Sequence, residues 1–143
     1  LALFLIFNIV IYSSAFANLT VIATNQTLGS PLVMAVGDTL VINNNVTYQI
    51  PSLNSNGVII NNGTLKVLGN YMVGAAGKTI NLDSIIVSGN FNEGSTSSVY
   101  GGRVVLDGVG AQIISPPAPN TMYFSNLSVY NGAKTETNRF RCF

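Results

Sequence analysis

Residues 61–71 read N-N-G-T-L-K-V-L-G-N-Y and residues 81–91 read N-L-D-S-I-I-V-S-G-N-F. The second line repeats the first at an offset of 20 residues. Asn61 and Asn81, Val67 and Val87, Gly69 and Gly89, and Asn70 and Asn90 coincide, and aromatic Tyr71 is answered by aromatic Phe91. Each line holds a short alternating strand, Leu65 and Val67 in the first, Ile85 and Val87 in the second, closed by a Gly-Asn turn. Strands this short cannot bury a face alone. A period near 20 built from strands and turns therefore implies coils that stack, each covering the apolar face of its neighbour.

The same rhythm runs beyond these two lines. Gly37-Asp38-Thr39 is a turn, Leu40-Val41-Ile42 a strand, and Asn43-Asn44-Asn45 a corner. Val46 to Ile50 then alternates until Pro51. The V-I-N-N-N of residues 41–45 and the I-I-N-N-G of residues 59–63 read as one corner on successive coils. Ile85-Ile86-Val87 is echoed by Val104-Val105-Leu106, and the Leu-x-Val alternation returns at Leu127, 42 residues after Ile85. Gly and Asn suit the corners because left-handed backbone angles cost them least, and Asn stacked at equivalent corners can hydrogen-bond along the axis. Gly and Asn clusters interrupt every helical apolar spacing after residue 17. The fold expected is an all-β, right-handed parallel β-helix with coils of about 20 residues. An antiparallel β-sandwich is the rival, since short strands at 8–12-residue spacing suit it too.

Composition agrees with such a fold and narrows function. Only 8% of the residues are charged and the formal net charge is +1, which argues against a nucleic-acid partner, because that needs a concentrated basic face. Three of the six basic residues, Lys134, Arg139 and Arg141, fall in the last ten positions and read as a solvated tail. There is no histidine and one cysteine, Cys142, so no intrachain disulfide can form and a His/Cys zinc site is not expected.

The chain divides into four parts. Residues 1–17 read as a signal peptide, incomplete at its start: about a dozen mostly apolar residues end in Ala15-Phe16-Ala17, an A-x-A cleavage pattern. The stretch is short for a membrane span. An exported protein without a membrane span in its mature part is the expectation. Residues 18–36 form an N-terminal cap or first strands, residues 37–133 the solenoid coils, and residues 134–143 a tail that drops the pattern and reads as a truncated end.

Residues 102–115 (G-R-V-V-L-D-G-V-G-A-Q-I-I-S), followed by residues 123–133 (Y-F-S-N-L-S-V-Y-N-G-A), resemble repeats of large secreted bacterial surface proteins. Those repeats run as a hydrophobic strand, D/N-G-x-G-x-Q-x-I-S, a variable loop, then F-x-N-L-x-V-x-N-G. They are familiar from adhesin-like proteins of Bacteroidetes type, and the resemblance implies the pectin-lyase-like right-handed β-helix and export. Pro116-Pro117-Ala118-Pro119 stands where that family has Gly or Ser, so the loop differs.

Chemistry is sparse. The carboxylates are Asp38, Asp83, Glu93, Asp107 and Glu136. Hydrolysis of a glycosidic bond needs two held about 5–10 Å apart, and the spacing supplies no such pair. Polysaccharide-acting enzymes on β-helices cluster Asp with Lys, Arg or His on one sheet; here Asp83, Asp107, Lys66, Lys78 and Arg103 are spread over several coils. The Ser and Thr hydroxyls have no His to act as base. No catalytic residue, cofactor or metal ligand is assigned. Asn18, Asn25, Asn45, Asn62 and Asn126 each open an Asn-x-Ser/Thr glycosylation signal. Tyr48, Tyr71, Phe91, Tyr100, Tyr123 and Phe124 are either a sugar-stacking strip or stacked core aromatics, and the core reading is preferred. Thr64, Thr79 and Thr121 do not keep the register an ice-binding ladder needs. The reading that remains is a non-catalytic secreted structural or adhesive module that meets carbohydrate, a cell surface, or further copies through uncapped coil ends. The alternatives are a polysaccharide-acting enzyme and a glycan- or ice-binding module.

Overall fold

The computed structural model describes residues 17–117, 122–132, 134–136 and 140–142. The signal-peptide reading thus lies, apart from Ala17, outside the described residues. Every strand pairing among the described residues is parallel, which excludes the antiparallel sandwich and gives the β-solenoid. No helix occurs there, so none is long and apolar enough to cross a membrane.

Each early coil runs through three short strands, one per face. The first has β1 (Leu19–Ile22), β2 (Gln26–Thr27) and β3 (Leu32–Met34). The second has β4 (Thr39–Ile42), β5 (Thr47–Ile50) and β6 (Leu53–Ser55). The third has β7 (Val58–Asn61), β8 (Thr64–Val67) and β9 (Tyr71–Val73), and the fourth β10 (Lys78–Asn81), β11 (Ser84–Val87) and β12 (Phe91–Glu93). In the fifth coil the first two strands fuse into β13 (Val99–Leu106), followed by β14 (Gln112–Ser115). The sixth has β15 (Met122–Val129) and β16 (Lys134–Glu136), after which β17 (Phe140–Cys142) pairs with β15.

Residues 18–36 therefore supply strands that pair in register with the second coil. Residues 134–136 and 140–142 supply two more strands, although the sequence there no longer shows the alternation. Partners on adjacent coils lie 17 residues apart at the shortest (Thr47 with Thr64), 20 in the central coils (Thr64 with Ser84) and 24 at the longest (Tyr100 with Phe124).

Alternation sets which residues fill the axis. In β8 and β11 the inward side chains are Leu65, Val67, Ile85 and Val87, all fully buried, because successive side chains of a strand point to opposite faces. Tyr48, Leu65, Ile85, Val104 and Leu127 form one inward column across coils two to six. Leu53, Tyr71, Phe91 and Ile114 form another, in which Tyr71 and Phe91 stack at 4.5 Å with ring planes 10° apart. A third column changes chemistry along its length: Ile22 and Ile42, then Asn61 and Asn81, then Tyr100 and Phe124.

Asn61 and Asn81 are buried and form the expected amide ladder. Asn61 Nδ2 donates to Asn81 Oδ1 (2.7 Å) and to the Ser84 carbonyl (2.8 Å), and Asn81 Nδ2 donates to the Arg103 carbonyl (3.1 Å). The ladder meets Ile42 below, where Asn61 Oδ1 has no partner.

One corner is shifted from its expected alignment. Val41 pairs with Ile60 and Ile42 with Asn61, one residue away from the match suggested by the two Asn-rich corners. A slip of one would have turned Ile42 outward. The corner between β4 and β5 absorbs the difference by being longer than the one between β7 and β8, with Asn45 in the left-handed region at φ 60°.

The fusion of β13 has a local cause. Gly101-Gly102 carries a register shift that turns the strand from one face to the next. A Cβ on Gly102 would run into the Asp83 carbonyl oxygen of the coil below. Gln112, the Gln of the D-G-x-G-x-Q motif, is buried and ties two coils: its Nε2 donates to the Val87 and Gly89 carbonyls, and its Oε1 accepts from the Gly108 N–H (3.0 Å).

Candidate binding cleft

The strand ladder of the third face stops at one point, and a cleft lies beside it. β12 pairs with β14 only through Phe91 with Ile114 and Asn92 with Ser115. Pro116-Pro117 follows at once, and proline brings no N–H to continue a ladder. Glu93, the last residue of β12, is thus left without a paired residue on the next coil. It occupies an inward position, at the top of the column Met34, Ser55, Val73. The resulting cleft has a volume of about 320 Å³ and is lined by Glu93, Ser95, Ser98, Tyr100, Tyr123 and Ser125 among others.

Glu93 is 3% exposed and is held by a short polar network. Tyr100 donates its hydroxyl to Oε2, and the Ser95 N–H donates to Oε1 (2.8 Å). Behind Tyr100 the chain of hydroxyls continues to Tyr71 (Oη to Oη, 3.3 Å) and on to Thr79 Oγ1 (2.5 Å). Removal from water pushes the Glu93 carboxyl up to about 7 against the opposing pull of its hydrogen bonds from Tyr100, Ser95 and Ser98. Burial also raises the Tyr71 and Tyr100 hydroxyls, with Glu93 adding to both shifts. A carboxyl poised near neutrality in a cleft is the kind of group that takes part in ligand binding or proton transfer.

The residues singled out by sequence are distributed differently. Asp38 accepts from the Ala35 N–H (2.8 Å) and the Asn18 N–H (3.1 Å), bonds that hold its carboxyl below the usual range and tie a corner together. Asp83 accepts from Ser84 Oγ (3.1 Å) and Asp107 from Ser88 Oγ (2.7 Å). Arg103 donates to Ser128 Oγ and Tyr130 Oη on the outer face. None of Asp83, Asp107, Lys66, Lys78 or Arg103 lines the cleft.

Among the aromatics, Tyr48, Tyr71, Phe91, Tyr100 and Phe124 are core, while Tyr123 is exposed on the cleft wall. Of the threonines, Thr79 is buried, Thr64 points outward, and Thr121 lies outside the described residues. Asn18, Asn25, Asn45 and Asn126 are exposed. Asn25 Oδ1 accepts from the Thr47 N–H, and half-buried Asn62 donates to the Ile42 carbonyl (3.2 Å).

Sequence reasoning counted Glu93 as a carboxylate but gave it no role. The signal was present: Glu93 stands two residues after inward Phe91 and 20 after inward Val73, so alternation and period together place it inside. Among the described residues no group of His, Cys, Asp or Glu stands close enough to hold a metal ion. No protein-family model, curated protein or solved structure matches the chain significantly.

Proposed function

We propose that the chain is a non-catalytic structural and adhesive module, a β-solenoid segment of a larger secreted or cell-surface protein. The observation that supports contact as its work is an outward apolar ladder. Val21, Val41, Ile60, Ile80 and Val99 succeed one another in register on the face built from β1, β4, β7, β10 and β13. Val21 is 50% exposed and Val99 52%, with the three between them partly exposed. β-Branched residues spaced by the strand repeat of about 4.8 Å make a flat, regular, water-exposed strip. Contiguous exposed apolar surface marks a place of interaction. Asp38, Asp83 and Asp107 support the same reading, since they bond to nearby backbone or hydroxyl groups. Export rests on residues 1–17 and on the resemblance of residues 102–133 to secreted repeats.

The test replaces Ile60 and Ile80 together by Lys in the full chain. Adhesion to immobilised polysaccharide and to bacterial cells is compared with self-association by sedimentation velocity. Loss of adhesion or self-association, with an unchanged β circular-dichroism spectrum, supports the module. If neither behaviour is present in the parent protein, or both survive the substitutions, the reading fails.

A second reading, a polysaccharide-acting enzyme, has Glu93 in its favour, with its carboxyl raised by burial in an open cleft. Glu93 has no carboxylate partner among the cleft's described lining residues, and paired-carboxylate hydrolysis requires one. Release of reducing ends from a panel of polysaccharides, abolished by Glu93→Gln, would favour this second reading.

A further inference from the structure

We propose that the cleft above Glu93 binds a primary ammonium group carried by a small hydroxylated ligand, of which an amino sugar is the simplest case. This goes beyond the adhesive strip, which meets the cleft only at its last residue, Val99, and stands or falls separately from it.

The argument begins with what a solenoid normally puts at this position. The inward column below Glu93 is Met34, Ser55 and Val73, all buried. Continuing it with a carboxylate places charge on the axis, and that carboxylate lines the cleft beside the point where the β12–β14 ladder ends. Glu93 is the single charged side chain among the cleft's described lining residues. The other titratable groups around it are Tyr100, which donates to it, Tyr71 behind Tyr100, and Tyr123 on the cleft wall. Of the basic residues on strands described with their side chains, Arg103 is engaged by Ser128 and Tyr130, and Lys78 takes an outward position on β10.

A buried carboxylate with no cation among the described lining residues is the group that gains most when a ligand brings one. An alkylammonium also has three donors to satisfy. Ser95, Ser98 and Ser125 offer hydroxyls in the same cleft, and they suit a ligand that carries hydroxyls of its own. A volume of about 320 Å³ sits at the low end of ligand pockets, which favours a monosaccharide-sized ligand.

The experiment is calorimetric titration of the full chain with 6-amino-6-deoxyglucose and, in parallel, with glucose, which differs in lacking the ammonium. Near pH 8 the amino sugar is expected to bind at least about tenfold more tightly than glucose, the scale of one charge-assisted contact. The sugar's amine stays protonated down to pH 5.5, whereas Glu93, with its value of about 7, does not stay ionised. Affinity should therefore fall about thirtyfold over that interval, following the ionised fraction of the carboxyl. Glu93→Gln should weaken binding at pH 8 to the level of glucose. Ser125→Trp, which fills the cleft from a residue that gives Glu93 no hydrogen bond, should abolish it while the circular-dichroism spectrum stays unchanged. Equal affinity for the two sugars, no binding at all, a flat pH profile, or binding that survives Ser125→Trp each overturns the proposal.

Discussion

Phe91 shows how much one side chain carries in this fold. Its ring stacks on Tyr71 from the coil below and meets Tyr100 and Phe124 edge-on at 5.6 and 5.8 Å. Phe91→Ala would leave a cavity walled by neighbouring coils whose backbones are fixed by their ladders. A loss of about 3–5 kcal/mol is expected, read as a lower urea midpoint. Val109→Ala, at a side chain 87% exposed, should stay within about 0.5 kcal/mol. Glu93 gives a prediction of a different kind. Its carboxyl has an ordinary value of 4.5 and a folded value of about 7, so between these the folded chain binds more protons than the unfolded one. Stability is fully present below about pH 4.5 and falls as pH rises through 7, by roughly 3 kcal/mol over the window. Glu93→Gln should flatten that slope in urea midpoints measured across the window; a parent protein that gains stability from pH 5 to 8 would contradict it. The aromatic stack was legible in the sequence, because Tyr71 and Phe91 keep the period. The acid's role was not, because a carboxylate becomes special only through its burial beside a cleft, and both depend on how the neighbouring coils pack over it.

Between strands, the corners set the register, and glycine decides how closely two corners approach. Gly89 donates its N–H to the Gly69 carbonyl at 2.9 Å. A Cβ there would collide with that carbonyl and come within 2.7 Å of the Asn70 nitrogen. These are backbone atoms with no rotamer to give way, so Gly89→Ala should cost about 2–3 kcal/mol. Gly110→Ala, with nothing within 4 Å of the added carbon, should be close to neutral by the same urea assay. The Gly69/Gly89 match and the buried amides of Asn61 and Asn81 were both visible as a 20-residue echo, and the echo gave those coils in correct register. It misled where coil length departs from 20. The corners after Val41-Ile42 and after Ile59-Ile60 look alike in composition, yet Ile42 pairs with Asn61, because inward direction has to be kept while the loop after β4 takes up extra residues. Composition identifies a corner; only the alternation on either side counts its length. The same limit hid β16 and β17, whose backbones continue the ladders of β14 and β15 through a sequence without apolar alternation.

A stack of coils held by neighbour-to-neighbour contacts should tolerate loss of a whole coil far better than loss of half of one. Thr64 pairs with Ser84 through Val67 with Val87, so deleting residues 64–83 joins Gly63 to Ser84 at an equivalent point of the turn. Ile85 then takes the place of Leu65 over Tyr48, Val87 that of Val67 over Ile50, and Phe91 that of Tyr71 over Leu53. The shortened chain keeps a continuous apolar axis. Its cost is specific: Asn61 loses Asn81 as ladder partner, and Phe91 and Tyr100 lose Tyr71. It should therefore fold to a β spectrum with a lower midpoint and a denaturant slope reduced by roughly 15%, in proportion to the surface it no longer buries. Deleting residues 64–73 instead removes β8 and β9 and sends the chain from the corner after β7 straight to the corner before β10, with two faces of one coil missing. Neither neighbour could then cover the other, and an unfolded or aggregated product is expected. Cooperative unfolding of the half-coil deletion with a slope like that of the parent would show that the coils are not the units of this fold.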